Sequence, residues 1–254
     1  MRTCINNDAV ITLAKCIRKT HPCYGLRKLH HTIKSQGLRM GREGLRHLLR
    51  EQGLLFKPRP GRHFVRTTDS RHQYKLYPNL LSCTPLTHPE QIWVVDITSV
   101  RIQGNQYYLA LVCDAYSRKI MGWNISDKNT GESAVQALHK AWQNRLYPEN
   151  TIIHHSDRGS QYCCDLYRMA LYKMKMQVST TQSGNPRENA IMERVIKTLK
   201  YEYGLKTNFE SLQTATEQVD YAIGVYNHLR IHFSCGLRTP ALQHTIIRNP
   251  PFLV

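Results

Sequence analysis

A chain of 254 residues with 41% hydrophobic and 21% charged residues has the composition of a globular protein of one or two domains, which excludes a wholly disordered chain. The chain is strongly basic, with 35 Lys and Arg against 18 Asp and Glu and a net charge of +17. Residues 1–80 carry 17 basic and 4 acidic residues, against 18 and 14 in residues 81–254. This distribution is typical of a protein that neutralises phosphates; general solubility and attraction to an anionic membrane are the alternatives.

Other features argue against a membrane protein or an exported protein. The longest apolar stretch, near Tyr107–Cys113, is much shorter than the roughly 20 residues that cross a bilayer. No apolar export segment follows Met1-Arg2, and the eight Cys residues form no CxxC pair and no zinc-like spacing with His. We therefore expect a cytoplasmic protein with reduced thiols and no membrane partner.

Residues 1–56 have the hydrophobic spacing of a small all-α unit. The predicted helices run from a cap at Asn7 or Asp8 to near Pro22, from Tyr24 to Ser35, and from Arg42 to Gln52. The last two, joined by residues 37–41, resemble a helix-turn-helix. Arg42, Arg46 and Arg50 recur every four residues on one face, so we predict that they bind DNA. A solvated basic face on a small bundle is the alternative.

The rest of the chain divides into a basic linker, residues 57–84, and an α/β region that begins at residue 85. Strands are predicted at Ile92–Ile102, Tyr107–Asp114, Lys119–Ile125, Thr151–His155 and Met176–Ser179. Helices are predicted at Thr130–Asn144, Gln161–Lys173 and Ala190–Tyr203, the last with Asn189 as its cap. Gly104-Asn105 indicates a hairpin between the first two strands. This order predicts a mixed five-stranded sheet with helices packed against it.

Three acidic residues stand at positions that suit a metal site. Asp96 interrupts an apolar strand, where a charge is costly without a partner or a metal ion. Asp157 follows the fourth strand, and Glu193 lies one turn into the last predicted helix. Carboxylates gathered in this way suit Mg²⁺ or Mn²⁺, and two such ions can activate and stabilise the oxygens of a phosphodiester displacement. A lone acid is more often a cap or a surface charge, but the spacings of 60 and 35 residues make the set more specific.

The acids also lie in longer motifs that occur in one order. The motifs are Trp93-x-x-Asp96-Ile97-Thr98; His154-His155-Ser156-Asp157-x-Gly159 followed by Gln161-Tyr162; and Gly184-Asn185 with Asn189-Ala190 before Glu193. Further matches are Tyr24-Gly25, Leu54, Thr198-Leu199-Lys200, Tyr226-Asn227, Arg230, His232 and Thr239-Pro240. Over nearly its whole length, the chain resembles the B-frame transposases of insertion-sequence family three, whose core is similar to that of retroviral integrases.

This resemblance implies a ribonuclease-H-like catalytic core with C-terminal helices over residues 85–245 and a tail at 246–254. It implies cleavage of phosphodiester bonds at transposon ends, followed by attack of the freed 3′-hydroxyl on target DNA. The implied partners are DNA, further copies of the chain on DNA, and the A-frame product or an A-B fusion. The implied site consists of Asp96, Asp157 and Glu193 as catalytic ligands of two Mg²⁺ or Mn²⁺ ions, Lys197 and Lys200 as DNA contacts, and His155 and Asn189 at its border.

Two other functions fit parts of the sequence. A related nuclease would cleave without joining, although the residues around Lys200 and Tyr226-Asn227 favour joining. A product that only binds DNA or regulates transposition would not be an enzyme. The sequence departs from the family pattern at Arg187, Glu188 and Arg194, which lie beside Glu193. For Lys197, an ion pair with Glu193 is the alternative to a DNA contact.

Overall fold

A computed structural model describes residues 6–56, 77–182 and 186–246. The chain forms two compact units, residues 1–65 and residues 66–254. Most of the predicted linker (57–76), Gly184-Asn185, the side chain of Arg187 and the tail residues 247–254 lie outside the described residues. No helix in the described ranges is long and apolar enough to cross a membrane.

The first unit contains the three helices that the hydrophobic spacing predicts. They are α1 (Asn7–Thr20), α2 (Leu26–Ser35) and α3 (Arg42–Glu51). The cap of α1 is Asn6, one residue earlier than predicted; its side chain accepts hydrogen bonds from the N–H groups of Asp8 and Ala9. The helices bury one apolar cluster, formed by Val10, Ala14, Leu29, Ile33, Leu45, Leu48 and Leu49. Burial of this cluster is what holds such short helices together, because isolated helices of this length are marginal in water.

The second unit is built on a mixed sheet, as the sequence predicts. Its strands are β1 (Ile92–Ile102), β2 (Asn105–Asp114), β3 (Ile120–Ser126), β4 (Ile153–Ser156), β5 (Gln177–Thr180) and β6 (Asn208–Phe209). Their order is β3-β2-β1-β4-β5, with β1, β2 and β3 antiparallel and with β4 and β5 parallel to β1. The sheet therefore has, in the described residues, one strand more than predicted. The two-residue strand β6 is too short to show a period of its own and pairs with the end of β1.

The hairpin between β1 and β2 turns one residue earlier than the sequence suggests. Ile102 pairs with Asn105, so Gln103 and Gly104 are the two central residues of the turn. Both have positive φ, 51° and 79°, as the turn that matches the twist of a two-residue hairpin requires. A Gly at the second position satisfies this requirement without strain.

Helices cover both faces of the sheet. On one face, Trp93 and Val95 of β1 pack with α4 (Gly131–Gln143), α5 (Ser160–Cys163) and α6 (Asp165–Lys173). On the other, Ile92 and Val94 pack with α7 (Ala190–Glu202) and α8 (Leu212–His228). The alternation follows from the two-residue period of a strand. The single helix predicted at 161–173 is divided at Cys164, which has an extended backbone.

A buried charged cluster closes the end of the second unit. It joins the loop before β1, the end of β2, the loop after α4 and the last helix, α9 (Pro240–Thr245). Arg145 donates to Glu90 at 2.9 Å, His244 Nε2 lies 3.3 Å from Glu90, and His244 Nδ1 lies 3.6 Å from Asp114. Asp114 also accepts hydrogen bonds from the N–H and hydroxyl of Ser117 at 2.7 and 2.6 Å. Buried charges of this kind are tolerated because each has partners.

Residues 77–84, the end of the predicted linker, lie against β5. The Tyr77 N–H donates to the Thr180 hydroxyl, which in turn donates to the Tyr77 carbonyl at 2.8 Å. The Leu80 N–H donates to the Ser179 hydroxyl at 2.9 Å. This end of the segment is thus attached to the sheet of the second unit.

Candidate active site

Asp96 lies in a stretch of β1 that has an open edge. On the side of β1 opposite β2, β4 pairs only with residues 92–94 and β6 only with residues 101–102. Residues 95–100 therefore face a gap between β4 and β6. Asp96 is partly buried there, and its Oδ1 accepts a hydrogen bond from the Ile97 N–H at 2.8 Å. Its second oxygen has no such backbone partner in the described residues, which leaves it available to a cation.

Asp157 follows β4 directly, at the mouth of the same gap. Its Oδ1 accepts a hydrogen bond from the Gly159 N–H at 3.0 Å, which fixes the turn into α5. The next residue, Arg158, donates to the carbonyls of Thr181 and Gln182, just after β5. The turn that carries Asp157 is therefore hydrogen-bonded to the residues that follow β5.

Glu193 is in the first turn of α7 and is partly exposed. Lys197, one turn later, lies with its Nζ 3.7 Å from Glu193 Oε2, and 58% of the lysine side chain is exposed. The ion pair that the sequence allowed is thus present. An exposed pair of this kind contributes only about 0.2–0.5 kcal/mol, so either residue can leave it for a stronger partner at low cost.

The three acids form one electrostatic cluster. The pKa of Asp96 is raised to about 8: burial is the largest cause and the negative charges of Asp157 and Glu193 add to it, whereas the Ile97 N–H and Lys200 act in the opposite direction. Lys200 is half-buried; burial lowers its pKa, whereas the charge of Asp96 raises it. The structure thus brings together Asp96, Asp157, Glu193 and Lys200, whereas Lys197 is more peripheral.

A divalent cation fits the chemistry of this cluster. The donors are carboxylate oxygens, and the mutual repulsion of three acids around a partly buried Asp96 is what such a cation relieves. Across the described residues, no group of three or more His, Cys, Asp or Glu is gathered tightly enough to hold an ion by itself. Mg²⁺ does not need such a cage, because it retains waters and is commonly held by one or two carboxylates together with substrate phosphates.

The two histidines of the second motif have different surroundings, because successive residues of a strand point to opposite faces. His154 is fully buried, with its Nε2 2.8 Å from the Tyr167 hydroxyl, and burial lowers its pKa to about 3. His155 lies on the other face with α7, and its Nε2 is 3.1 Å from the Glu188 carbonyl. His155 therefore borders the chain that leads to Glu193.

Asn189 does not cap α7 as predicted. It stands at the N-cap position, but its side chain makes no hydrogen bond to the first turn of the helix. Instead, its amide donates to the Val95 carbonyl at 3.0 Å, beside Asp96. The local pattern predicted the position of Asn189 correctly, but it could not show this long-range partner.

The motif residues of the C-terminal part make structural contacts away from the acid cluster. Asn227 is buried against the backbone of β3, and Arg230 forms a two-pronged ion pair with Glu202 at 2.8–3.1 Å. Thr239 caps α9. Asn227 thus holds α8 to the sheet, and a part of Tyr226-Asn227 in joining stays a prediction.

The predicted DNA-binding arginines belong to the first unit. Arg42, Arg46 and Arg50 are all exposed on α3. Glu43 pairs with Arg42 at 3.6 Å and with Arg46 at 3.4 Å, which reduces the positive charge of the face but does not remove it. Their contact with DNA stays a prediction.

Ser179, which links His155 to the segment before β1, was not predicted as a residue of the site. Its buried hydroxyl lies 2.8 Å from His155 Nδ1 and accepts from the Leu80 N–H. A Ser in a short strand carries no signal of such a role. Of the residues that differ from the family pattern, Glu188 accepts a hydrogen bond from the Gln182 N–H across residues 183–187, and Arg194 is exposed.

Comparison with known proteins identifies the second unit. Two models described as "Integrase core domain" match residues 87–186 and 174–240. An uncharacterized 31 kDa protein of insertion element IS600 from Shigella sonnei is 35% identical over 228 residues, covering 88% of this chain and 82% of that protein. The transposase for insertion sequence element IS904 of Lactococcus lactis is 34% identical over 186 residues, covering 67% and 72%.

The fold has a counterpart among solved structures. A chain in the cryo-electron microscopy structure of the simian T-cell lymphotropic virus intasome in complex with PP2A regulatory subunit B56 gamma aligns with a TM-score of 0.56 at 20% identity, covering 94% of this chain and 76% of that chain. This likeness confirms the ribonuclease-H-like class of the sheet and its flanking helices. From the family matches and the relatives together, the chain belongs to the integrase-core transposases of insertion-sequence family three, which carry out DNA transposition.

Proposed function

We propose that this chain cleaves phosphodiester bonds at transposon ends and joins the freed 3′-hydroxyl to target DNA, with Asp96, Asp157 and Glu193 as its catalytic residues. The observation that supports this most is the electrostatic contact of the three acids around the open stretch of β1. Acids on the surface for solubility would be kept apart and hydrated. Here one of them is partly buried and the charges of the other two raise its pKa, so its ionisation costs free energy that a bound cation would offset.

An integrase core implies the use of a divalent metal ion, and we propose two Mg²⁺ or Mn²⁺ ions held by these carboxylates in the presence of DNA. Bound ions supply Lewis-acid stabilisation of the attacking and leaving oxygens. Asp96, held by the Ile97 N–H, and Asp157, held by the Gly159 N–H, keep one oxygen each in a fixed direction. The remaining carboxylate oxygens and Glu193 then provide the coordinating atoms.

DNA is the substrate class of the family, and we propose specific contacts to it. Lys200 lies within the acid cluster and suits a phosphate next to the reacting bond. Lys197 can exchange its exposed partner Glu193 for a phosphate when Glu193 binds metal. Arg42, Arg46 and Arg50 suit phosphate contacts made by the first unit. We also propose that further copies of the chain assemble on DNA and that the A-frame product, or an A-B fusion, takes part.

The test is cleavage and strand transfer on a DNA duplex that carries a transposon end, with Mg²⁺ or Mn²⁺. Asp96→Asn, Asp157→Asn and Glu193→Gln should each reduce both reactions by at least about 10³-fold, because loss of one charged ligand weakens stabilisation of the transition state by several kcal/mol. Asp165→Asn, a change of an exposed acid on α6, is the matched control and should have no effect. Activity near that of the unaltered chain in any of the three variants removes that residue from the site.

Cleavage without joining would identify a nuclease, and binding without either reaction would identify a regulatory product. Both reactions are therefore measured on the same duplex, with joining also measured from a pre-cleaved end. Addition of the A-frame product in a parallel set shows whether it is required. Joining by the chain alone would exclude that requirement.

A further inference from the structure

The residues just before Glu193 are hydrogen-bonded to both of the segments that carry the aspartates. His155, two residues before Asp157, lies with its Nε2 3.1 Å from the Glu188 carbonyl. Asn189 donates from its amide to the carbonyl of Val95, the residue before Asp96, at 3.0 Å. Residues 188 and 189 belong to a short 3₁₀ turn that runs directly into α7. Each of the two segments that carry an aspartate therefore makes one hydrogen bond to the residues that lead into Glu193.

The hydrogen bonds of His155 define which nitrogen carries its proton. The Glu188 carbonyl can only accept, so Nε2 of His155 carries the hydrogen and donates it. Nδ1 must then accept, and its partner at 2.8 Å is the Ser179 hydroxyl. The Ser179 oxygen accepts a hydrogen bond from the Leu80 N–H at 2.9 Å, and its hydroxyl hydrogen can be donated to Nδ1 of His155. The direction of this chain, from Leu80 through Ser179 to His155, therefore aligns the imidazole toward Glu188.

These contacts are buried, and they replace simpler local ones. His155 and Ser179 are fully buried and Asn189 is 7% exposed, so loss of a hydrogen bond is not repaired by bulk water. Asn189 stands at the N-cap of α7, where a side chain ordinarily bonds to the first turn of its own helix. Its amide instead reaches a carbonyl 94 residues away. A residue with only a local capping role would not need this partner.

Neither contact reaches the acids themselves, so any influence on them passes through the backbone. Val95 is adjacent to Asp96, and Glu188 and Asn189 lead into the turn of α7 that carries Glu193. We propose that His155 and Asn189 are positioning residues that set Glu193 relative to Asp96 and Asp157. This inference rests on the proposed metal-dependent function of the three acids.

The experiment measures Mn²⁺ binding by calorimetry to each variant of the full chain in complex with a DNA duplex that carries a transposon end, because the proposed ions are held in the presence of DNA. The melting temperature of each variant is measured in parallel. The Asn side chain places its amide near the position of Nδ1 of His, and the Gln side chain places its amide near Nε2. His155→Gln can therefore still donate to the Glu188 carbonyl, whereas His155→Asn cannot. Groups that orient metal ligands through hydrogen bonds commonly contribute 10–100-fold in affinity. We expect about tenfold weaker Mn²⁺ binding for His155→Asn and for Asn189→Ala, and binding within about threefold of the unaltered chain for His155→Gln.

Two controls separate positioning from simple stability. Tyr167→Phe removes the hydrogen bond to the neighbouring His154 on the opposite face of the sheet. It should lower the melting temperature without weakening Mn²⁺ binding. Equal Mn²⁺ affinity in His155→Asn, His155→Gln and the unaltered chain, or a loss in Tyr167→Phe as large as in His155→Asn, would overturn the role of His155. If His155→Asn does not fold, unaltered affinity in Asn189→Ala, a position at the helix end, overturns the proposal.

A further variant distinguishes failure of this inference from failure of the proposed function. Asp96→Asn should abolish Mn²⁺ binding if the acids hold the metal. If Asp96→Asn binds Mn²⁺ as the unaltered chain does, the proposed function itself is wrong. If Asp96→Asn loses binding while His155→Asn and Asn189→Ala retain it, the metal site stands and the positioning role alone is wrong.

Discussion

Asn227 of α8 forms two hydrogen bonds with the backbone of a single residue of β3, Ile120. Its Oδ1 accepts from the Ile120 N–H and its Nδ2 donates to the Ile120 carbonyl, both at 2.9 Å. β3 is at the edge of the sheet, so these backbone groups have no strand on their outer side. The amide thereby acts in place of a further strand and fixes α8 to the sheet. A second amide, that of Asn144, donates to the neighbouring Met121 carbonyl at 3.0 Å.

Asn227→Ala should lower the free energy of unfolding by roughly 2 kcal/mol, the loss expected for two buried hydrogen bonds. Asn227→Asp retains the acceptor only and should be nearly as destabilising. Urea denaturation measures the effect. Unaltered stability combined with defective strand transfer would contradict this prediction and support a role of Asn227 in joining.

The charged cluster around His244 predicts a dependence of stability on pH. Burial lowers the pKa of His244, but hydrogen bonds with Asp114 and Glu90 outweigh this effect, and the net direction is upward. A raised pKa in the folded state stabilises the protein fully below the ordinary His pKa, about 6.5, and that contribution is lost as the pH rises through the raised value. The free energy of unfolding should therefore fall as the pH rises above about 6.5.

Urea denaturation at a series of pH values tests this directly. His244→Gln, which does not titrate, should be less stable near pH 6 and should lose the decline at higher pH. A decline that is equally steep in His244→Gln would assign it to other groups. The cluster also contains Glu90, whose carboxyl must overcome burial but is held ionised by His244 and Arg145, with a lowered pKa. Its contribution is lost instead as the pH falls below about 4.5.

Lys200 should matter to joining far more than Lys197. It is half-buried within the acid cluster, so a DNA end that reaches the acids also reaches Lys200. Misplacement of reacting atoms by about 1 Å costs on the order of 10²-fold in rate, and we expect a loss of this size in strand transfer by Lys200→Ala. Lys173→Ala, which removes an exposed charge from α6, is the control. Intact joining by Lys200→Ala would show that Lys200 does not contribute to strand transfer.

The arginine face of α3 should contribute affinity for DNA without regard to sequence. Replacement of Arg42, Arg46 and Arg50 by Gln should reduce the slope of log affinity against log salt by about 0.9 for each phosphate that the variant no longer neutralises. Replacement of the exposed Lys15 and Lys19 of α1 removes positive charge from another helix of the same unit and is the control. An unaltered slope in the arginine variant, or an equal change in the lysine variant, would contradict a dedicated arginine face.

Local sequence patterns predicted most of the elements, because periodicity is a local property. The apolar run that begins at Ile92 and the turn residues after Ile102 predicted β1, β2 and β3 within one or two residues. The strand β6 escaped prediction because two residues show no period, although their pairing with β1 defines one side of the gap at Asp96. The break at Cys164 escaped prediction because the apolar residues on either side continue a helical spacing.

In the candidate site, too, local features were predicted and long-range contacts were not. The motifs around Asp96, Asp157 and Glu193 were evident, since the neighbours that define each motif lie within a few residues of the acid. The partners that hold these segments were not, because the Asn189 contact spans 94 residues and the His155 contact with Ser179 spans 24. Asn227 is a similar case. A family motif indicated its importance, but only the structure shows its contact with the Ile120 backbone.

The pairing of Glu90 with His244 joins residues that are 154 positions apart. During synthesis, which proceeds at about 5–20 residues per second, the carboxylate of Glu90 is made well before its imidazole partner. Until α9 has left the ribosome, the loop before β1 contains a charge that cannot be buried with its full set of partners. A nascent chain therefore cannot complete this cluster early, and any chain that stops before residue 244 leaves Glu90 with Arg145 but without His244. In a DNA-cutting enzyme, this makes completion of translation a condition for the finished fold.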